Sequence, residues 1–226
     1  MWRFLDVDSS NSHSPRGLLV VFEGPDGSGK TLQMAGLARR LRESGEVVVE
    51  TREPGGTPLG NEIRTLLLNR ENIAIDGYAE LFLLAAARFQ HVHDVIDPAI
   101  ERGEIVLCDR FVDSSYAYQG GGRGIPVEVL DTVQRIATSG RVPDIRVLLD
   151  VPVRVGLNRR FAGVDVINRL DRADPSFHDR VRDTYLARAD QAQNDWIVVD
   201  AVPSVETVAR DVQTRVMDRI HRLRQS

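Results

Sequence analysis

Lysine is almost missing from this chain. Of its 226 residues 29 are basic, and Lys30 is the only lysine among them. The arginine bias is most simply a GC-rich coding habit, which makes the one surviving lysine informative. Cysteine is nearly as scarce: Cys108 stands alone, which excludes an intrachain disulfide and points to a reducing, cytoplasmic compartment. Long apolar runs are absent. The richest stretch, AELFLLAAARF, is broken by Arg88 and falls short of a bilayer span, so no membrane partner is expected. An excess of positive charge is missing too. The net charge is -4 and the pI about 5.8, which argues against nucleic acid or an acidic membrane as a general partner. The first sixteen residues lack the basic-then-apolar order of a signal peptide and read as a disordered polar tail. Residues 17–226 are enough for one sizeable core and form one expected domain.

What is present alternates. Five short apolar runs, Leu18–Glu23, Val47–Thr51, Ile105–Asp109, Ile145–Val151 and Trp196–Asp200, are continuous rather than alternating, as in strands buried on both faces of a parallel sheet. Helical spacing fills the intervals: Thr31–Ser44 ended by Gly45, a long segment Tyr78–Arg102 expected to bend at Pro98, then Val127–Ser139, Val153–Phe161, Pro175–Asn194 and Val205–Arg224. Strands alternating with helices imply a doubly wound α/β fold with five parallel strands and helices on both faces.

In such a fold ligands sit beyond the C-terminal ends of the strands. Gly24-Pro25-Asp26-Gly27-Ser28-Gly29-Lys30-Thr31 occupies that place after the first strand and fits G-x-x-x-x-G-K-[ST] at every fixed position. The glycines let backbone N–H groups curl round an anion, and the helix N-terminus adds partial positive charge. Lys30 supplies a compact ammonium between the outer phosphates of ATP, and Thr31 offers a hydroxyl to Mg2+. Arginine's planar fork is too large to tuck into the loop it must bridge. The third strand ends in Asp109, a carboxylate placed to serve the same magnesium ion. TREPGGTPLG (51–60) and DRFVDSSYAYQGGGRGIP (109–126) also open at the ligand edge. The second suits a pocket for a phosphate, a sugar and a flat ring.

The joint pattern of FEGPDGSGKT, TREPGGT, AAAR, DR with S-x-A-Y-Q-GGGRG, PD with LLDV, and RLDR resembles the bacterial thymidylate kinases in order and spacing, from Leu18 to the C-terminus. The resemblance implies a P-loop NTPase fold and transfer of the ATP γ-phosphate to dTMP, without a covalent intermediate. It also implies that Asp26 holds the acceptor's 3′-hydroxyl and arranges the phosphates. Arg110 would grip the acceptor phosphate and Arg88 the thymine ring. Tyr118 and Gln119 would lie against sugar and base, with Tyr118 excluding a 2′-hydroxyl. Arg52, Glu53, Pro54, Ser114 and Ser115 fall in or beside the same acceptor pocket. A mobile lid is expected at 158–172, where Arg159, Arg160, Arg169 and Arg172 are candidates to clamp the transferring group, Arg160 and Arg172 first. A homodimer is also implied, with the AELFLLAAARF helix a candidate contributor.

The chain departs from the family pattern at Leu84, where an aromatic ring usually stacks on the base, at Leu32 after Thr31, and at Phe111 after the Asp-Arg pair. Leu84 leaves open a kinase for another or modified pyrimidine monophosphate. A nucleotide-binding regulator that hydrolyses ATP without an acceptor is the reading from a different class, and it would have no use for Arg88 or the 109–119 pocket.

Overall fold

In the computed structural model, which describes residues 16–69, 73–162 and 173–225, the five apolar runs are the strands of one parallel sheet. β1 (Leu18–Glu23), β2 (Val48–Arg52), β3 (Ile105–Asp109), β4 (Ile145–Asp150) and β5 (Trp196–Asp200) lie in the order β2-β3-β1-β4-β5, so β1 is central. All six of its residues are buried, which explains a run with no polar alternation. Leu18, Val20 and Phe22 pack with Leu37 and Leu41 of α1 (Lys30–Glu43) and with Val212 and Val216 of α9 (Val205–Gln225). Leu19 and Val21 face the other way, against Val92, Ile96 and Ala99.

The long helix breaks differently from the expectation. α3 (Gly77–His91) passes into a π-helical turn at Val92–Ile96 and then into α4 (Asp97–Glu101), with Pro98 inside α4's first turn. A proline lacks its own N–H and crowds the carbonyl four residues earlier, and the irregular turn that absorbs this lies before it. A helix not anticipated from the pattern, α2 (Pro58–Asn69), follows β2. The 109–126 stretch after β3 is also largely helical: α5 (Val112–Ser115) leads into a π-helical stretch, Tyr116–Gly122. The remaining helices, α6 (Val127–Ala137), α7 (Val153–Ala162) and α8 (Pro175–Gln191), agree with expectation to within a few residues. Of the expected tail, Arg16 is described and pairs with Asp144 at 2.6 Å. The rest lies outside the described residues.

Register decides what meets at the ligand edge. Phe22 is level with Asp109, and the Arg110 N–H donates to the Phe22 carbonyl. The loops leaving β1 and β3 therefore start side by side. The loop after β1 also touches the backbone of α7. A Cβ on Gly27 would lie 1.9 Å from the Gly156 oxygen, and one on Gly156 would lie 2.5 Å from the Asp26 oxygen. No side chain fits between them. Gly156→Ala should therefore lower stability by about 1–3 kcal/mol, read as a reduced urea midpoint.

Candidate active site

Gly29 takes φ 89°, the left-handed turn that starts α1. The Lys30 Nζ folds back under the loop and donates to the carbonyls of Gly24 and Pro25, each at 3.0 Å, and to the Ser28 hydroxyl at 3.4 Å. Burial, followed by the charge of Arg110, brings its pKa down to about 8, while Asp109, Asp26 and Glu23 pull the other way. Three converging acceptors suit an ammonium with three rotatable donors better than a rigid fork. The Thr31 hydroxyl donates to Asp109 Oδ2 at 2.8 Å. The expected pair of hard oxygen ligands is thus adjacent, and their chemistry fits a magnesium ion.

Across a cleft of about 640 Å3 stands Arg110. Its backbone is left-handed, with φ 72°, an uncommon conformation for a residue with a side chain. One Nη donates to Asp26 Oδ1 at 2.7 Å and to the Tyr118 hydroxyl at 3.1 Å; the other reaches Gly24 O, Ser114 Oγ and Tyr185 OH. Tyr118 in turn donates to Asp26 Oδ2 at 2.7 Å. Burial alone would raise the Asp26 pKa, but Arg110 and Lys30 outweigh it and hold the carboxyl at about 2. Asp26, Arg110 and Tyr118 therefore form one interlocked group.

Arg88, on α3, lines the same cleft. It is buried, and its charge does not wait for a base: Nε donates to Glu53 Oε2 at 2.6 Å, Nη1 to Ser115 Oγ and Gln134 Oε1, and Nη2 to the Phe111 carbonyl. A guanidinium has five N–H groups, so one on Nη2 remains without an acceptor among the described residues. The other Glu53 oxygen meets His91 Nδ1 at 3.0 Å, and His91 Nε2 meets the Thr51 hydroxyl at 2.6 Å. Glu53, His91 and Cys108 lie close enough to suggest a metal cluster. Both carboxylate oxygens and both ring nitrogens are already engaged, and the group is a hydrogen-bonded brace behind Arg88.

Gln119 is buried, and its Nε2 donates to Glu80 Oε1 at 2.7 Å. Among the described residues its Oε1 is buried without a partner, as is Gln134 Nε2. Such an atom costs about 1–3 kcal/mol unless something supplies its missing partner.

Leu84, Pro54, Ser114 and Ser115 line the cleft as expected. Arg52 does not: it is exposed at the end of β2. Arg64, on the unanticipated α2, lines the cleft instead and donates to the Pro54 carbonyl at 3.0 Å. Of the arginines expected in a lid, Arg160, on α7, borders the cleft. Arg159 borders it too, but its guanidinium is tied to the carbonyls of Ala201 and Val202. Arg169 and Arg172 lie outside the described residues. Missed altogether was Glu23, wholly buried at the end of β1. Its Oε1 accepts from the N–H groups of Phe111 and Ser114, and its Oε2 from the hydroxyls of Ser114 and Tyr185. The FEG string held the signal, since a charge ending a buried strand needs built partners.

Residues 22–212 match the family model described as Thymidylate kinase. The chain belongs to the thymidylate kinase family. It is 52% identical to a thymidylate kinase of Thermomicrobium roseum over 92% of this chain and 98% of the relative, and 44% identical to one of Pseudomonas putida over 92% and 99%. A crystal structure of thymidylate kinase from Ehrlichia chaffeensis superposes with a TM-score of 0.72 at 32% identity, over 90% of this chain and 98% of that one. A thymidylate kinase is a phosphotransferase of the P-loop class, and the five-stranded parallel sheet with helices on both faces agrees with that fold.

Burial, with the Asp113 carboxylate second, pushes the Glu23 pKa from 4.5 up to about 7. The folded state thus holds this proton more tightly than the unfolded chain does. That contribution to stability is complete below about pH 4.5 and is lost as pH rises through about 7. Urea titrations across this window should show wild-type stability falling relative to Glu23→Gln, and a constant difference would remove the assignment.

Proposed function

We propose that the chain transfers the γ-phosphoryl group of ATP to the 5′-phosphate of dTMP, giving dTDP and ADP. The observation that carries the choice of base is the orphaned Gln119 Oε1 together with the spare Arg88 N–H, since both residues line the cleft. An acceptor beside a donor suits a ring edge that presents N–H beside C=O, as thymine does. Cytosine presents the reverse order. The Leu84 and Leu68 side chains give an aliphatic wall for a ring face and a methyl group, so contact replaces stacking at Leu84.

The loop N–H groups and Lys30 hold the donor phosphates. Arg110 takes the acceptor phosphate, with Asp26 and Tyr118 fixing its direction and meeting the sugar. Thr31 and Asp109 would hold Mg2+, which supplies positive charge across the phosphate oxygens. Arg160 and Arg172 are the proposed clamps on the transferring group, a contribution on the order of a thousandfold or more when such an arginine is engaged. Closing the lid would exclude water as a competing acceptor. Coupled ADP release with ATP and magnesium should favour dTMP over dUMP, UMP and dCMP, with little turnover in the absence of an acceptor. Turnover indifferent to every monophosphate would point to a nucleotide-hydrolysing regulator instead.

We also propose a homodimer. Tyr78, Phe82 and Phe89 are 44%, 56% and 48% exposed and share one stripe of α3, an apolar face that favours burial against a second copy. Sedimentation should give twice the 25.2 kDa chain mass, and Phe82→Glu should return it to one.

A further inference from the structure

We propose that Glu80 determines which pyrimidine the cleft accepts, by fixing the Gln119 amide with its oxygen toward the ligand. This rests on the dTMP reading. Glu80, near the start of α3, is 2% exposed. Its Oε1 takes the Gln119 Nε2 hydrogen at 2.7 Å, and its Oε2 lies 3.3 Å from Arg123 Nη2. Arg123 in turn lies over the Phe177 ring, with its guanidinium carbon 5.3 Å from the ring centroid, so the carboxylate is held from both sides.

The logic is one of donors and acceptors. A carboxylate has lone pairs and no hydrogen to give. Facing it, the Gln119 amide must present its NH2 group, which leaves Oε1 as the only outward end. A glutamine side chain is otherwise indifferent to the flip, because its oxygen and nitrogen occupy nearly the same shape. Glu80 therefore acts without touching the ligand: it converts a group that could read either base into one that accepts an N–H only. It is a positioning residue for specificity.

Glu80→Gln replaces an acceptor-only group with one that can donate or accept, so Gln119 can turn its NH2 toward the ligand. Measured with dTMP and dCMP in parallel, the ratio of their kcat/KM values should fall by about tenfold or more. The dCMP value should rise in absolute terms, which damage to the fold would not produce. Glu80→Asp, still acceptor-only, should keep the ratio while lowering both values. If Glu80→Gln does not fold, Glu80→Ala, which removes the fixing acceptor and adds no bulk, should move the ratio in the same direction. A ratio unchanged within about twofold in whichever of these two variants folds overturns the inference and leaves the dTMP reading intact. A wild-type protein with no preference between dTMP and dCMP overturns both.

Discussion

A single backbone reversal organises this site. At Arg110 the chain leaves β3 in the left-handed region, and that turn swings the guanidinium back over the β1 loop instead of onward with the strand. A non-glycine residue stays there only when its surroundings over-determine it. The determinant is Glu23, whose buried carboxylate binds the next N–H, at Phe111, and that of Ser114 beyond it. Glu23 can do this because β1 and β3 are paired in register, so its side chain emerges beside the turn. Ser114 and Tyr185 complete the hold, and Tyr185 belongs to α8, far along the chain from β1 and β3. Arg110 is therefore held by three separate pieces of chain.

Around that turn the charges are balanced rather than merely accumulated. Lys30, Arg110, Arg64 and Arg160 gather near the cleft, and Asp26 and Asp109 stand among them. The mutual repulsion of the cations is felt at Lys30 and at Arg64, where burial and neighbouring arginines lower the pKa. A field of this kind favours triply and doubly charged phosphates while leaving each protein charge with a partner. It also accounts for the lone lysine. Beneath the loop the space ends in two backbone carbonyls and a hydroxyl, and a small ammonium satisfies all three.

The base end of the cleft follows a different rule. Arg88 is neutralised by Glu53 and braced by His91, so its charge is already balanced before a ligand arrives. In the proposed reading, recognition there depends on the few hydrogen-bonding positions left over on the cleft wall, one N–H on Arg88 and one oxygen on Gln119. In a buried network the leftover atoms that line the cleft are the informative ones, because most of the polar atoms around them have been answered within the protein.

Much of this was legible in the chain itself. Local rules were enough to place the five strands, although burial on both faces holds for β1, β3 and β4 while the edge strands β2 and β5 expose residues to one side, and for the phosphate loop, whose glycines and lysine obey backbone geometry. Motif order carried Asp26, Arg110, Tyr118 and Gln119 to the cleft. What the linear pattern could not contain was partnership across distance. The Arg88–Glu53 pair spans 35 residues, the Tyr185–Glu23 contact spans 162, and Arg64 replaces Arg52 only because α2 folds over the cleft. The sequence alone determined which side chains carry charge and which segments become strands, since both follow from residue chemistry and near-neighbour spacing. The tertiary structure decided which polar atoms are answered and which are left for a ligand, since that depends on register and packing between segments far apart in the chain.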